Sequence, residues 1–110
     1  MSREWVAVDF DGVLVEIEGW SPTIGAPVDE MVQRVNSWMR AGLDVRIFTT
    51  RAGNPQQKRL VQEWAEAHFP GWYVPVTNVK ETGVIALYDV RAVAVEKNTG
   101  RLLSPDLLEL

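Results

Sequence analysis

The chain contains no cysteine, which removes disulfides, thiolate chemistry and Cys-type zinc sites from consideration. A single histidine, His68, likewise excludes a metal centre built from several imidazoles. Basic charge is in short supply: 11 Lys and Arg stand against 15 Asp and Glu, a net charge of −4. Coating nucleic acid needs a basic face, so no extended nucleic-acid surface is expected, which leaves room only for a nucleotide or a nucleic-acid end in a local basic pocket. Long hydrophobic runs are missing too. The longest, Val84 to Tyr88, falls far short of the roughly 20 residues that span a bilayer, so no membrane association is expected. The opening Met1-Ser2-Arg3-Glu4-Trp5 carries an acid and leads straight into a strand-like segment. A cytoplasmic protein without a signal peptide is the expectation.

What the chain does have is an ordinary globular balance, with 46% hydrophobic and 24% charged residues over 110 positions. That length suits one domain over 1–110, and five Trp require packed layers to bury them. Trp5 to Phe10 is short, apolar and β-branched, and reads as a buried strand. Gly19, Pro22, Gly25 and Pro27 mark a loop or small flap over about 15–28. Val28, Val32, Val35 and Met39 then fall at helical spacing, and Gly42 stands where a helix ends. Leu43 to Thr49 is a second strand. Asn54-Pro55-Gln56-Gln57 carries a cap, a first-turn proline and the glutamine of a capping box, and Pro70-Gly71 stops that helix. Residues 73–79, 84–88 and 92–95 give three further strand candidates, Asn98-Thr99-Gly100 a turn, and Ser104–Leu110 a final helical turn.

Strand and helix alternate as in right-handed crossovers of a parallel sheet. The expected architecture is a three-layer α/β sandwich, Rossmann-like, with about five mainly parallel strands and the first one central. Sites in such sheets lie at the carboxyl ends of the strands.

That rule singles out a few residues. Asp9 and Asp11 end the first strand, and the period of two points both to one side while Phe10 turns inward. Adjacent carboxylates repel unless one is protonated or a cation sits between them, and magnesium, which takes oxygen ligands, fits. Turn-capping aspartates account for the pair equally well. A calcium loop does not, since Val13, Leu14 and Val15 offer no further oxygens. Thr49, Thr50 and Arg51 follow the second strand, where hydroxyls and backbone N–H groups can meet a phosphate. Lys80 and Asp89 follow the next two. Each alone reads as an ordinary turn or surface residue; together they fall on one crevice. For Arg91 an ion pair is expected, for Trp20 a packed position in the flap beside solvated Glu16 and Glu18, and for His68 a favourable charge at a helix end.

Asp9-Phe10-Asp11-Gly12-Val13-Leu14 resembles the first motif of the haloacid dehalogenase superfamily. Leu43–Thr49 is similar to its second motif, Lys80 stands where the third-motif lysine belongs, and Tyr88-Asp89-Val90-Arg91-Ala92 resembles the fourth. The order holds from residue 5 to about 95. The resemblance implies a small capless phosphatase. Asp9 would be the nucleophile, Asp11 the general acid and base, and Thr49 and Lys80 the groups that hold and neutralise the phosphoryl oxygens. Thr50 and Arg51 would help bind the substrate phosphate, with Arg91 a further candidate beside its expected ion pair. Mg2+ would be held by the Asp9 carboxylate, the Asp11 carbonyl and Asp89. Members with this pattern often carry a second acid in the fourth motif, where Val90 stands here, leaving one carboxylate fewer. The implied activity is hydrolysis of a phosphomonoester through an aspartyl phosphate, on a phosphorylated small molecule, a nucleotide or a nucleic-acid end. A large substrate or a partner subunit would suit so open a site. A non-catalytic phosphate- or partner-binding protein on the same fold is the alternative. A receiver-like signalling domain would instead take its phosphate on an aspartate after a later strand.

Overall fold

The computed structural model describes residues 3–104. Its elements, in chain order, are β1 (Trp5–Val8), α1 (Asp29–Arg40), β2 (Val45–Phe48), a 3₁₀ turn (Thr50–Gly53), α2 (Pro55–His68), β3 (Val76–Thr77) and β4 (Val84–Tyr88). All strand pairs are parallel, in the order β3-β2-β1-β4. The first strand is interior, as expected.

Two stop signals work as their residue types dictate. At the end of α1, Gly42 adopts φ +94°, and its N–H and that of Leu43 donate to the carbonyls of Met39 and Trp38, both at 3.0 Å. This is the Schellman arrangement, and a side chain at Gly42 would be strained. At the start of α2, Asn54 Oδ1 accepts the Gln57 N–H at 3.0 Å with Pro55 in the first turn.

Val6 and Val8 of β1, Val45 and Ile47 of β2, and Val76 of β3 share one core with Val35 and Met39 of α1 and Val61, Trp64 and Ala65 of α2. Alternation along the strands puts these residues on one face, so both helices cover the same side. The cause is topological. The steps β1-α1-β2 and β2-α2-β3 advance in one direction, and right-handed crossovers advancing one way leave their helices on one face. A helix on the other face would need a crossover back to β4, and residues 78–83 are too few to form one. Those residues instead shelter Trp5, which is fully buried, its ring N–H donating to Thr82 O at 3.4 Å and its ring lying under Arg46 at 4.4 Å.

The expected five strands and three layers are therefore four strands and one helical layer among the described residues. The fifth candidate, 92–95, does not join the sheet. Val95 forms an isolated antiparallel bridge with Leu102 across the turn at Asn98 and Gly100, both at positive φ, so the segment pairs with its own continuation. The turn expected at 98–100 is there. The helical turn expected over Ser104–Leu110 lies, apart from Ser104, outside the described residues. No helix is long and apolar enough to cross a membrane among the described residues.

Candidate active site

Parallel register brings the strand ends together. The Asp9 N–H donates to Tyr88 O at 2.9 Å, which sets Asp9 beside Asp89. Likewise the Thr49 N–H donates to Thr77 O at 2.9 Å, which sets Thr49 beside Asn78. Past Asp9 the chain turns sharply. Gly12 sits at φ +83°, and the N–H groups of Val13, Leu14 and Val15 all turn back to the Phe10 carbonyl. Only glycine takes that backbone conformation without strain.

A cleft of about 280 Å³ opens at these ends. Asp9, Asp11, Thr49, Thr50 and Asp89 line its floor and walls together with Phe48, Asn78 and Arg91, and Ile17 to Trp20 of the flap close one side. The expectation that the strand-end residues meet in one crevice holds for these five.

Asp9 carries the clearest electrostatic signature. Burial pushes its carboxyl up to about 6, opposed by the Phe10 N–H that donates to Oδ1 at 2.8 Å. Asp89 raises it further, through its charge and as a hydrogen-bonding neighbour, and the Asp11 charge adds to this. Asp89 in turn accepts the Arg91 N–H on Oδ1 at 2.7 Å, which fixes its orientation.

Asp11 lines the same cleft, but its carboxylate is bound by Arg51. Its Oδ2 accepts from Arg51 Nε at 2.8 Å and its Oδ1 from Nη2 at 2.9 Å, a bidentate pair with Asp11 18% and Arg51 1% exposed. The remaining Arg51 N–H groups reach Ser21 O at 2.7 Å, Pro22 O at 3.2 Å and Gln57 Oε1. All five donors of the guanidinium are thus committed to protein acceptors, and none is left for the phosphate contact expected of Arg51. Gln57 is likewise drawn from its expected capping box to Arg51.

Thr49 is 4% exposed, and its Oγ1 accepts the Arg51 N–H at 3.2 Å, so the hydroxyl proton remains to donate into the cleft. Lys80 differs from expectation. It is exposed on the loop between β3 and β4 and is absent from the cleft lining; past Asn78 that loop runs to Trp5, which bonds to Thr82 and Gly83. Arg91 is the cationic side chain that lines the cleft without a salt bridge, in place of the ion pair expected for it, among the described residues. Trp20, expected to pack, is 68% exposed at the cleft mouth. His68 stacks on Trp64 at 4.2 Å and contacts Trp64 O through Nδ1, far from the chemistry.

No family model, curated protein or solved structure matches this chain. The site has to be read from its own geometry.

No group of three or more acid or histidine side chains that could hold a metal is present among the described residues. The set implied by the resemblance uses only two acid side chains, Asp9 and Asp89, with the Asp11 carbonyl, and the Asp11 carboxylate is engaged through both oxygens by Arg51. What remains is a set of hard oxygens, the Asp9 and Asp89 carboxylates and the Asp11 carbonyl, which accepts no hydrogen bond among the described residues. These are the oxygens that could hold a magnesium ion, which takes hard oxygen ligands and keeps part of its water shell.

Asn78 was missed by sequence reasoning, and Arg91 lines the cleft where an ion pair had been the favoured expectation for it. Asn78 directly follows β3, so the rule that found Asp9 and Thr49 could have found it. The partners of Arg51 carry no sequence signal, since two are backbone carbonyls about 30 residues away.

Proposed function

We propose that this chain is a magnesium-dependent phosphomonoester hydrolase of the haloacid dehalogenase type, acting through Asp9. The observation that carries this reading is a carboxyl held up at about 6 at the carboxyl end of an interior parallel strand, facing Asp89 in a cleft with two threonines. Clustered acids with a raised carboxyl are costly to keep, and such clusters gather where chemistry is done.

In this reading the Asp9 carboxylate forms a bond to phosphorus while the ester oxygen leaves and takes a proton from Asp11. Asp11 then removes a proton from water as that water attacks phosphorus, releasing phosphate and restoring Asp9. Thr49 donates its hydroxyl to a phosphoryl oxygen, and Thr50 and Arg91 offer further contacts on the cleft wall. Bound magnesium would supply positive charge against the phosphoryl oxygens, held by Asp9, Asp89 and the Asp11 carbonyl. Phosphorylated small molecules and nucleotides are of a size with the cleft.

Two observations favour a second reading, a phosphate- or partner-binding protein without turnover. Arg51 occupies both Asp11 oxygens, and Lys80 stands off the cleft. A screen of phosphorylated metabolites with and without magnesium separates the two. Magnesium-dependent phosphate release that Asp9→Asn abolishes is the expected result. No release from any substrate would leave the binding reading in its place.

A further inference from the structure

Arg51 is the most completely bonded side chain of the site, and phosphatase chemistry alone gives it no role. We propose that Arg51 is a positioning residue that latches the flap and Asp11 into a single arrangement, so that one guanidinium sets both the wall of the cleft and the orientation of the acid.

The argument begins with what anchors the arginine. It lies in the 3₁₀ turn after β2, where its own N–H is held by Thr49 Oγ1, and Gln57 from the first turn of α2 holds Nη1. Both anchors belong to the scaffold. On the other side the same guanidinium holds Asp11 by two bonds and the flap by the Ser21 and Pro22 carbonyls. The Trp20 ring lies 5.8 Å from the guanidinium carbon.

The flap has little else. Its limbs are tied at the base, where Glu16 N–H donates to Ala26 O and Val28 N–H to Leu14 O, both at 2.8 Å. Ile24 packs against the core. Between residues 17 and 25, however, the hydrogen bonds to the body of the fold are those from Arg51 alone, among the described residues. Residues 17–20 line the cleft. A carboxylate has about four acceptor positions, so Asp11 can keep its bidentate pair and still take or give a proton on the other side. Lysine cannot copy this arrangement, because its three donors share one nitrogen and cannot fork between two carboxylate oxygens and two carbonyls.

The part of this proposal that concerns Asp11 rests on the phosphatase reading; the part that concerns the flap does not. The test therefore has two arms on Arg51→Lys, with Gln57→Ala as a milder variant that removes only a scaffold-side anchor. In the first arm, backbone ¹⁵N relaxation should show order parameters for residues 17–23 falling from roughly 0.8 to below about 0.6, with β1 and β2 unchanged. Unchanged flap order in both variants overturns the latch, whatever the activity. In the second arm, kcat for an alkyl phosphate should drop about 10²-fold while p-nitrophenyl phosphate, whose leaving group needs little protonation, drops less than about 5-fold. The double variant with Asp11→Asn should be no worse than Asp11→Asn alone. Equal losses on the two substrates, or additive losses in the double variant, overturn the positioning of Asp11. If the wild-type protein hydrolyses neither substrate, the phosphatase reading fails by itself and the relaxation arm alone decides whether Arg51 is a latch.

Discussion

Replacing Asp9 by Asn should make the metal-free protein more stable while removing its proposed nucleophile. Lifting a carboxyl from 3.8 to about 6 corresponds to about 3 kcal/mol of disfavoured ionisation at most. Asp9 is only partly buried, and solvent screening reduces this to roughly 1–2 kcal/mol. The sign follows from linkage. A carboxyl raised in the folded state favours folding below about pH 3.8, and that contribution is lost as pH rises through about 6. At pH 8 the wild-type protein therefore carries the full penalty and the variant none. Asn keeps an oxygen for the Phe10 N–H, so the one bond that favours the carboxylate is replaced rather than lost. For a domain of this size 1 kcal/mol moves the midpoint by about 4–8 °C. Thermal unfolding without metal at pH 8 should show Asp9→Asn melting about 4–16 °C above wild type, the gap closing as pH falls from 6 to 4. Added magnesium should raise the wild type more than the variant. A variant that melts at or below wild type at pH 8, or a gap that persists at pH 4, refutes the account of Asp9 as a carboxyl strained by burial and its acidic neighbours.

A Cβ at Gly25 would lie 2.1 Å from the Glu16 carbonyl oxygen, which is backbone and cannot step aside. Gly25→Ala should therefore cost about 1–3 kcal/mol by denaturant titration, and an unchanged midpoint would show that the flap base is not closed as described. At the cleft, Lys80→Ala should change kcat/KM less than about 3-fold and Arg91→Ala should raise KM about 10-fold, a loss of roughly 1.4 kcal/mol; steady-state kinetics with the order reversed would return the phosphate contact to Lys80.

The residues that were legible in the sequence share one property: a short-range pattern determines their place. Asp9, Thr49 and Asp89 close apolar strand segments, and parallel register then leaves them little choice of neighbour. The Gly42 stop of α1 and the Asn54 cap of α2 were legible for the same reason. Residues 92–95 misled because an apolar β-branched run says that a segment can pair, not that a sheet edge is available to it. A third layer is not seen among the described residues, because two crossovers in one direction cover only one face, and no pattern within α1 or α2 encodes direction. Lys80 was placed by order along the chain, and order does not fix where a loop carries a side chain. Arg51 was read as a phosphate ligand because its partners lie on the flap, on α2 and after β1, a combination that only the fold assembles.

The pairing of β1 with β4 has a consequence for how the protein acquires its site. Helices α1 and α2 and strands β1 to β3 form through crossovers of moderate length, but Asp9 meets Asp89 only when segments about 80 residues apart in sequence close on each other. Loop closure on that scale is slow relative to local structure, and its entropy has to be overcome before any β4 contact is gained. The order of assembly that follows puts the three-strand half first and the acidic pair last. Substitutions in β4 such as Val84→Ala should then speed unfolding and leave the folding rate nearly unchanged, whereas Val45→Ala in β2 should slow folding. A molecule caught before that last step would present Asp9 and the threonines without Asp89 opposite them, and the acidic pair would be completed in one cooperative event.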